Sequence, residues 1–137
     1  MYTDNADLEN IYDEKEHIRK FSDLTGDDFN FFDSVSTLKT HSCTICVGNE
    51  IEVETGTNGF KGGDFGHGSR AYLRISTNED SDDIGMRVSY DKSNGLTNLE
   101  IMLGGDWELR TILTALKYMV NVLEKDIKEH ENDKKEE

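Results

Sequence analysis

An α+β fold is what this sequence predicts, with an N-terminal helix, an antiparallel sheet of about five strands and a long C-terminal helix on one face. Three patterns predict it. Apolar side chains recur at every second position in five segments between residues 41 and 103. Glycine-, asparagine- and aspartate-rich turns separate those segments. Beyond Gly104-Gly105 the apolar residues switch to helical spacing. A chain of 137 residues fills one core, so residues 1–128 are expected to form a single domain, with 129–137 as a charged, frayed tail.

At the N-terminus, Leu8, Ile11, Tyr12, Ile18 and Phe21 fall on one helical stripe, and Asp4, Asn5 or Asp7 is placed to cap it. Thr25-Gly26 breaks that pattern. The cluster Phe29-Asn30-Phe31-Phe32 follows, and its aromatic bulk suits a lid over the core, with an exposed docking patch as the alternative.

The sheet begins with Cys43, Ile45 and Val47, alternating against Ser42, Thr44 and Cys46. A turn at Gly48-Asn49 leads to Ile51, Val53 and Thr55, which alternate with Glu50, Glu52 and Glu54. Ala71, Leu73 and Ile75 share a face opposite Arg70, Tyr72 and Arg74. Ile84, Met86, Val88 and Tyr90 come next, then the turn Asp91-Lys92-Ser93-Asn94-Gly95, then Leu99, Ile101 and Leu103. One apolar and one polar face is the signature of a sheet covered on a single side. The cover is a helix carrying Leu109, Ile112, Leu113, Leu116, Val120, Leu123 and Ile127, with Asp106 expected as N-cap and Glu108 complementing the helix dipole.

The formal charge is −14, distributed as −6 over residues 1–40, −5 over 41–103 and −3 over 104–137. Acidity so dispersed repels phosphate backbones and anionic membranes, so long nucleic acids and membranes are not expected partners. It favours rapid encounter with basic protein surfaces. No apolar run approaches the roughly 18 residues of a membrane span. The segment Met1–Asp7 does not resemble a secretory signal and the two cysteines do not make a disulfide scaffold, so cytoplasmic residence is expected.

Residues 59–70 carry five glycines in twelve positions, which allow a backbone nest for an anion. Lys61, Gly62, Gly63, Asp64, His67, Ser69 and Arg70 are the candidate binding residues there, against a plain connection between strands. The segment lacks the ending of a Walker loop and leads into a strand, unlike a dinucleotide fingerprint. Tyr72, Arg74 and Arg87 extend the candidate set, because Arg87 is expected on the strand beside Arg70 and Arg74. Cross-strand pairing of these arginines with Glu50, Glu52, Glu54 or Glu100 is the competing reading. No cofactor is expected. His41, Cys43, Cys46 and His67 have metal-like spacing, but cysteines three apart on a strand face opposite ways, so free thiols are expected. The acidic run Asn78–Asp83 lacks the pattern of a calcium loop. Asp64 with His67 is the one acid/base pair the loop offers, and no catalytic set accompanies it.

Taken together, the run Asn58–Arg70 and the later Leu103-Gly104-Gly105-Asp106 opening a terminal helix resemble small, uncharacterised accessory proteins of bacteriophages. The resemblance covers the second half of the chain. It implies a phage accessory role, and with the acidity it leads to a non-enzymatic inhibitor of a host or defence effector, anti-defence or immunity-type. Two other functions remain open: a sponge for a small nucleotide-like anion held by the glycine-rich loop and the arginines, and a small hydrolase using Asp64 and His67. Self-association is compatible with a sheet whose edge or face stays uncovered.

Overall fold

The computed structural model describes residues 10–20, 37–61, 69–77 and 83–135, with side chains to residue 131. It is α+β. Strands β1 (Ile11–Lys20), β2 (Thr37–Cys46), β3 (Glu50–Thr57) and β4 (Ala71–Thr77) form an antiparallel sheet in sequential order. Among the described residues, strands β5 (Ile84–Asp91) and β6 (Leu96–Leu103) pair only with each other, as a separate hairpin. Helix α1 (Asp106–Lys135) closes the chain.

The core lies where β2 and β3 meet the helix. Cys43 and Ile45 stand opposite Val53 and Ile51 across the two strands. Ile112, Ala115 and Met119 of α1 pack on them, joined by Ile84 from the hairpin base. A partner strand on each side satisfies the backbone of β2 and β3, and the helix removes their apolar face from water. The turn between them abuts the helix start. A Cβ on Gly48 would meet the Trp107 Cβ at 2.7 Å, and the Gly48 N–H donates to Thr111 Oγ1 at 3.2 Å.

Three expectations need correcting. Residues 11–20 form a strand, not a helix, so the described residues hold six strands in two sheets in place of about five in one. The ladder to β2 accounts for this: His17 faces Thr40 and Arg19 faces Leu38, and both side chains turn inward at a period of two. A bulge between Tyr12 and Lys15, with Asp13 at φ 52°, puts the early residues out of step with that period. Asp106 is the first helical residue and not the cap, because the Gly105 carbonyl accepts the first helical bond, from Leu109 N–H at 3.0 Å. The helix also continues past residue 128, to Lys135. Among the described residues no helix is long and apolar enough to cross a membrane. The expected cap residues Asp4, Asn5 and Asp7, the aromatic cluster at residues 29–32, and residues 78–82 of the acidic run lie outside the described residues.

Candidate functional site

The glycine-rich connection is described at its two ends, which are stitched together. Asn58 N–H donates to the Arg70 carbonyl at 3.2 Å, and Arg70 N–H returns to Asn58 Oδ1 at 2.6 Å. Lys61 N–H donates to Ser69 Oγ at 3.1 Å, and Thr57 Oγ1 to the Arg70 carbonyl at 2.7 Å. Gly59 adopts φ 85° directly beneath α1, where a Cβ would sit 3.0 Å from the Cβ of His130. Between these arms and the helix lies a cleft of about 280 Å³ lined by Thr57, Phe60, Ser69, Arg70, Leu123 and Ile127. Lys61, Ser69 and Arg70 therefore stand at this cleft or beside it. Gly62, Gly63, Asp64 and His67 lie outside the described residues.

The arginines do not gather at one place. Arg74 sits on β4 opposite Glu54, donating to Glu52 Oε1 at 2.7 Å and to Glu54 Oε1 at 3.1 Å. Tyr72 is two residues away, opposite Gly56. Arg87 belongs to the hairpin, where it forks onto Glu100 at 2.8 and 3.2 Å. Its expected neighbour β4 is in the other sheet, so Arg87 does not extend the face of Arg74.

The cross-strand pairing reading holds for Arg74 and Arg87, but the sequence did not reveal that Arg19 and Thr40 join Arg74 at Glu54 on the polar side of the four-stranded sheet. Arg19 reaches across β2 from β1 and forks onto Glu54 with two bonds of 2.8 Å. Thr40 Oγ1 donates to the same carboxylate at 2.6 Å. Glu54 is 1% exposed at its side chain. Burial pushes its carboxyl pKa up, but the bonds from Arg19, Thr40 and Arg74 outweigh burial and hold it at about 2. The readable signal was the inward alternation of His17 and Arg19, hidden by the helical spacing of the apolar residues around them.

On the opposite side, β2 and α1 border a second cleft of about 320 Å³, lined by Glu14, Glu16, His41, Tyr118, Lys125 and Asp126. Asp126 accepts the Thr57 N–H at 3.2 Å and lies 4.0 Å from His41 Nε2. Burial raises its pKa against the opposing pull of the Thr57 bond and His41. Burial also raises Tyr118, and pushes the Cys43 thiol beside it up to about 12. A thiol so placed is protonated at neutral pH and is a poor nucleophile. Cys46 is exposed and points the other way from Cys43, as strand geometry requires.

Chemically, His41 with Asp126 is an acid/base pair open to a cleft, and His17 Nε2 bonds Ser42 Oγ at 2.8 Å in the manner of a base and its hydroxyl. His41 and Ser42 are consecutive on β2, so the two pairs sit on opposite faces of the sheet and cannot act on one substrate atom. No protein-family model, curated protein or solved structure matches the chain.

Proposed function

We propose that the protein is a non-enzymatic binding protein that neutralises another protein by covering a basic surface, in the manner of a phage anti-defence or immunity-type inhibitor. The observation that carries the reading is where its cations go. Arg19, Arg74, Arg87 and Lys39 are each engaged by the protein's own carboxylates, Arg74 by two, so these four present no unopposed positive charge on a chain of charge −14. Beside that acidity the β5–β6 hairpin exposes Val88, Tyr90, Leu96 and Leu99. Apolar anchors ringed by charge suit a protein interface, and the acidic field competes with phosphate for a target's basic site. The test is capture of host proteins at physiological salt, followed by nuclease and polymerase assays on what is captured. A stoichiometric partner whose activity is blocked, and whose capture is lost in Val88→Asp/Leu99→Asp, is expected. No such partner and no change in either assay would sink the reading.

A second reading rests on the cleft at Arg70. Phe60 offers a stacking face and Arg70 a guanidinium, which is the chemistry of a small nucleotide-like anion. Lys61 and Ser69 flank it, and the arginines engaged at Glu54 and Glu100 are not required. A ligand at 100 times its dissociation constant adds about 2.7 kcal/mol of stability. A thermal-shift panel of nucleotides should show that gain in the wild type and lose it in Arg70→Ala. A flat panel removes the reading.

A further inference from the structure

Tyr118, Val122 and Asp126 recur every four residues, so they share one face of α1, with Lys125 beside them. That face borders the cleft of about 320 Å³. The volume is at the lower end of small-molecule sites, roughly 300–1,000 Å³. Across the cleft lie His41 on β2 and, on β1 around its bulge, Glu14, Lys15 and Glu16. A bulge re-aims side chains out of the regular alternation. Glu14 and Asp126 both act on the Tyr118 hydroxyl, whose pKa is raised by burial first and then by neighbours that include these two carboxylates.

What marks a ligand site is an unfinished carboxylate. Asp126 is 7% exposed at its side chain. Its Oδ2 accepts the Thr57 N–H at 3.2 Å. Its Oδ1 stands 4.0 Å from His41 Nε2, beyond hydrogen-bond reach, with no nearer donor among the described residues. Burial keeps its pKa raised, because the Thr57 bond and His41 do not offset the cost of enclosing the charge. A buried carboxylate short of donors is stabilised by a cation brought to it. The border of the cleft has the opposite sign. Lys15 and Lys125 are exposed and engage no carboxylate among the described residues, whereas Glu16 is already held by Lys39 at 3.2 Å. We propose that this cleft binds a small zwitterionic amino acid, its ammonium group on Asp126 Oδ1 and Glu14 and its carboxylate at Lys15 and Lys125. The site is separate from the β5–β6 hairpin and from the cleft at Arg70, so it stands whether or not either takes a ligand.

Calorimetric titration of the full chain with the standard α-amino acids and γ-aminobutyrate tests it, with butylamine and butyrate as single-charge controls. At least one amino acid should bind, and more tightly than either control. Asp126→Asn keeps an acceptor for the Thr57 N–H and removes the charge. It should weaken that binding by about tenfold or more, the scale of a lost charge-assisted hydrogen bond. Glu14→Gln changes an exposed side chain, so it repeats the test without touching the core and should act in the same direction. Lys15→Gln/Lys125→Gln should weaken the amino acid and leave butylamine unchanged. No heat with any amino acid overturns the inference, as does binding that survives both Asp126→Asn and Glu14→Gln. So does loss of binding in Arg70→Ala, which would put the ligand in the other cleft. Butylamine binding as tightly as the amino acid removes the carboxylate half of the site.

Discussion

The four-stranded sheet and the β5–β6 hairpin are built from the same materials and use them differently. Each has an aliphatic pair across two strands, an arginine–glutamate fork and a glycine within a strand. In the sheet, Ile45 and Ile51 are fully buried, while Val88 and Leu99 on the hairpin are 71% and 69% exposed. The fork at Glu54 is enclosed and shared by two arginines, and the fork at Glu100 stands in solvent. The difference teaches that layer, not residue type, decides what each motif contributes. β2 and β3 have a strand on each side and a helix above, whereas an isolated two-stranded hairpin is only marginally stable in water. The hairpin holds its place through its base, where Ile84 joins the core with Met86 and Leu103 packed against it, and the Gly104 N–H closes that base on the Asp83 carbonyl at 2.9 Å.

The apolar pairs give the largest contrast. Ile51→Ala removes a side chain that is fully enclosed and should cost about 2–5 kcal/mol in urea unfolding, from lost transfer energy plus the cavity left behind. Val88→Ala removes a side chain that water already reaches, and its effect should stay within about 0.5 kcal/mol. Equal losses would mean that the hairpin is buried in solution, as a tightly bound partner on it would require.

The forks come next, and pH separates them. Glu54 is held at about 2 against an ordinary value of 4.5, so the fold favours its ionised form. Its contribution is complete above pH 4.5 and is lost as pH falls from there towards 2. That shift corresponds to about 3 kcal/mol, the low end of what breaking a buried pair costs. Glu54→Gln should therefore lose about this much at pH 7, with the difference from wild type narrowing to less than half at pH 3. Asp126 is shifted the opposite way, so it stabilises the fold at low pH and less as pH rises, and it is common to both proteins in this subtraction. Arg87→Gln should leave the urea midpoint unchanged at both pH values. A pH-independent deficit in Glu54→Gln would show that packing, not charge, is what Glu54 supplies.

The same contrast explains which parts of the fold were legible. The strands from β2 to β6 showed themselves because apolar and polar residues alternate along them, although the apolar set is inward on β2 and β3 while Leu73, Val88, Tyr90 and Leu99 on β4 to β6 are exposed. β1 did not, because its inward residues are His17 and Arg19, whose partners Ser42 and Glu54 are on other strands. The seven apolar residues of α1 were visible as a helix, but not which of them cover the sheet. Four of the seven face outward, and the sheet is met by Ile112 and Met119 together with small or polar residues such as Thr111, Thr114 and Ala115. Those polar groups are tolerated where a bond satisfies them, as Thr111 Oγ1 donates to the Trp107 carbonyl at 2.9 Å. The expected convergence of Arg70, Arg74 and Arg87 assumed that successive strands are neighbours, and the break between β4 and β5 is a matter of topology that alternation does not encode.

Glycines supply the smallest and sharpest comparison. Gly56 is buried on β3, where an added Cβ would run into the Lys39 carbonyl and come within 2.9 Å of the Thr40 Cα. Both belong to the backbone of β2, so relief requires the central strands to move apart. Gly85 lies on β5 with nothing within 4 Å of the same position. Gly56→Ala should cost about 1–3 kcal/mol by overpacking, and it should also loosen the Thr40 and Glu54 cluster across the same strand pair. Gly85→Ala meets open space and loses chain freedom only in the unfolded state, which favours folding by about 0.4–1 kcal/mol. Opposite signs from one substitution in two strands would locate the packed layer between β2 and β3. A destabilising Gly85→Ala would instead place another surface against the hairpin.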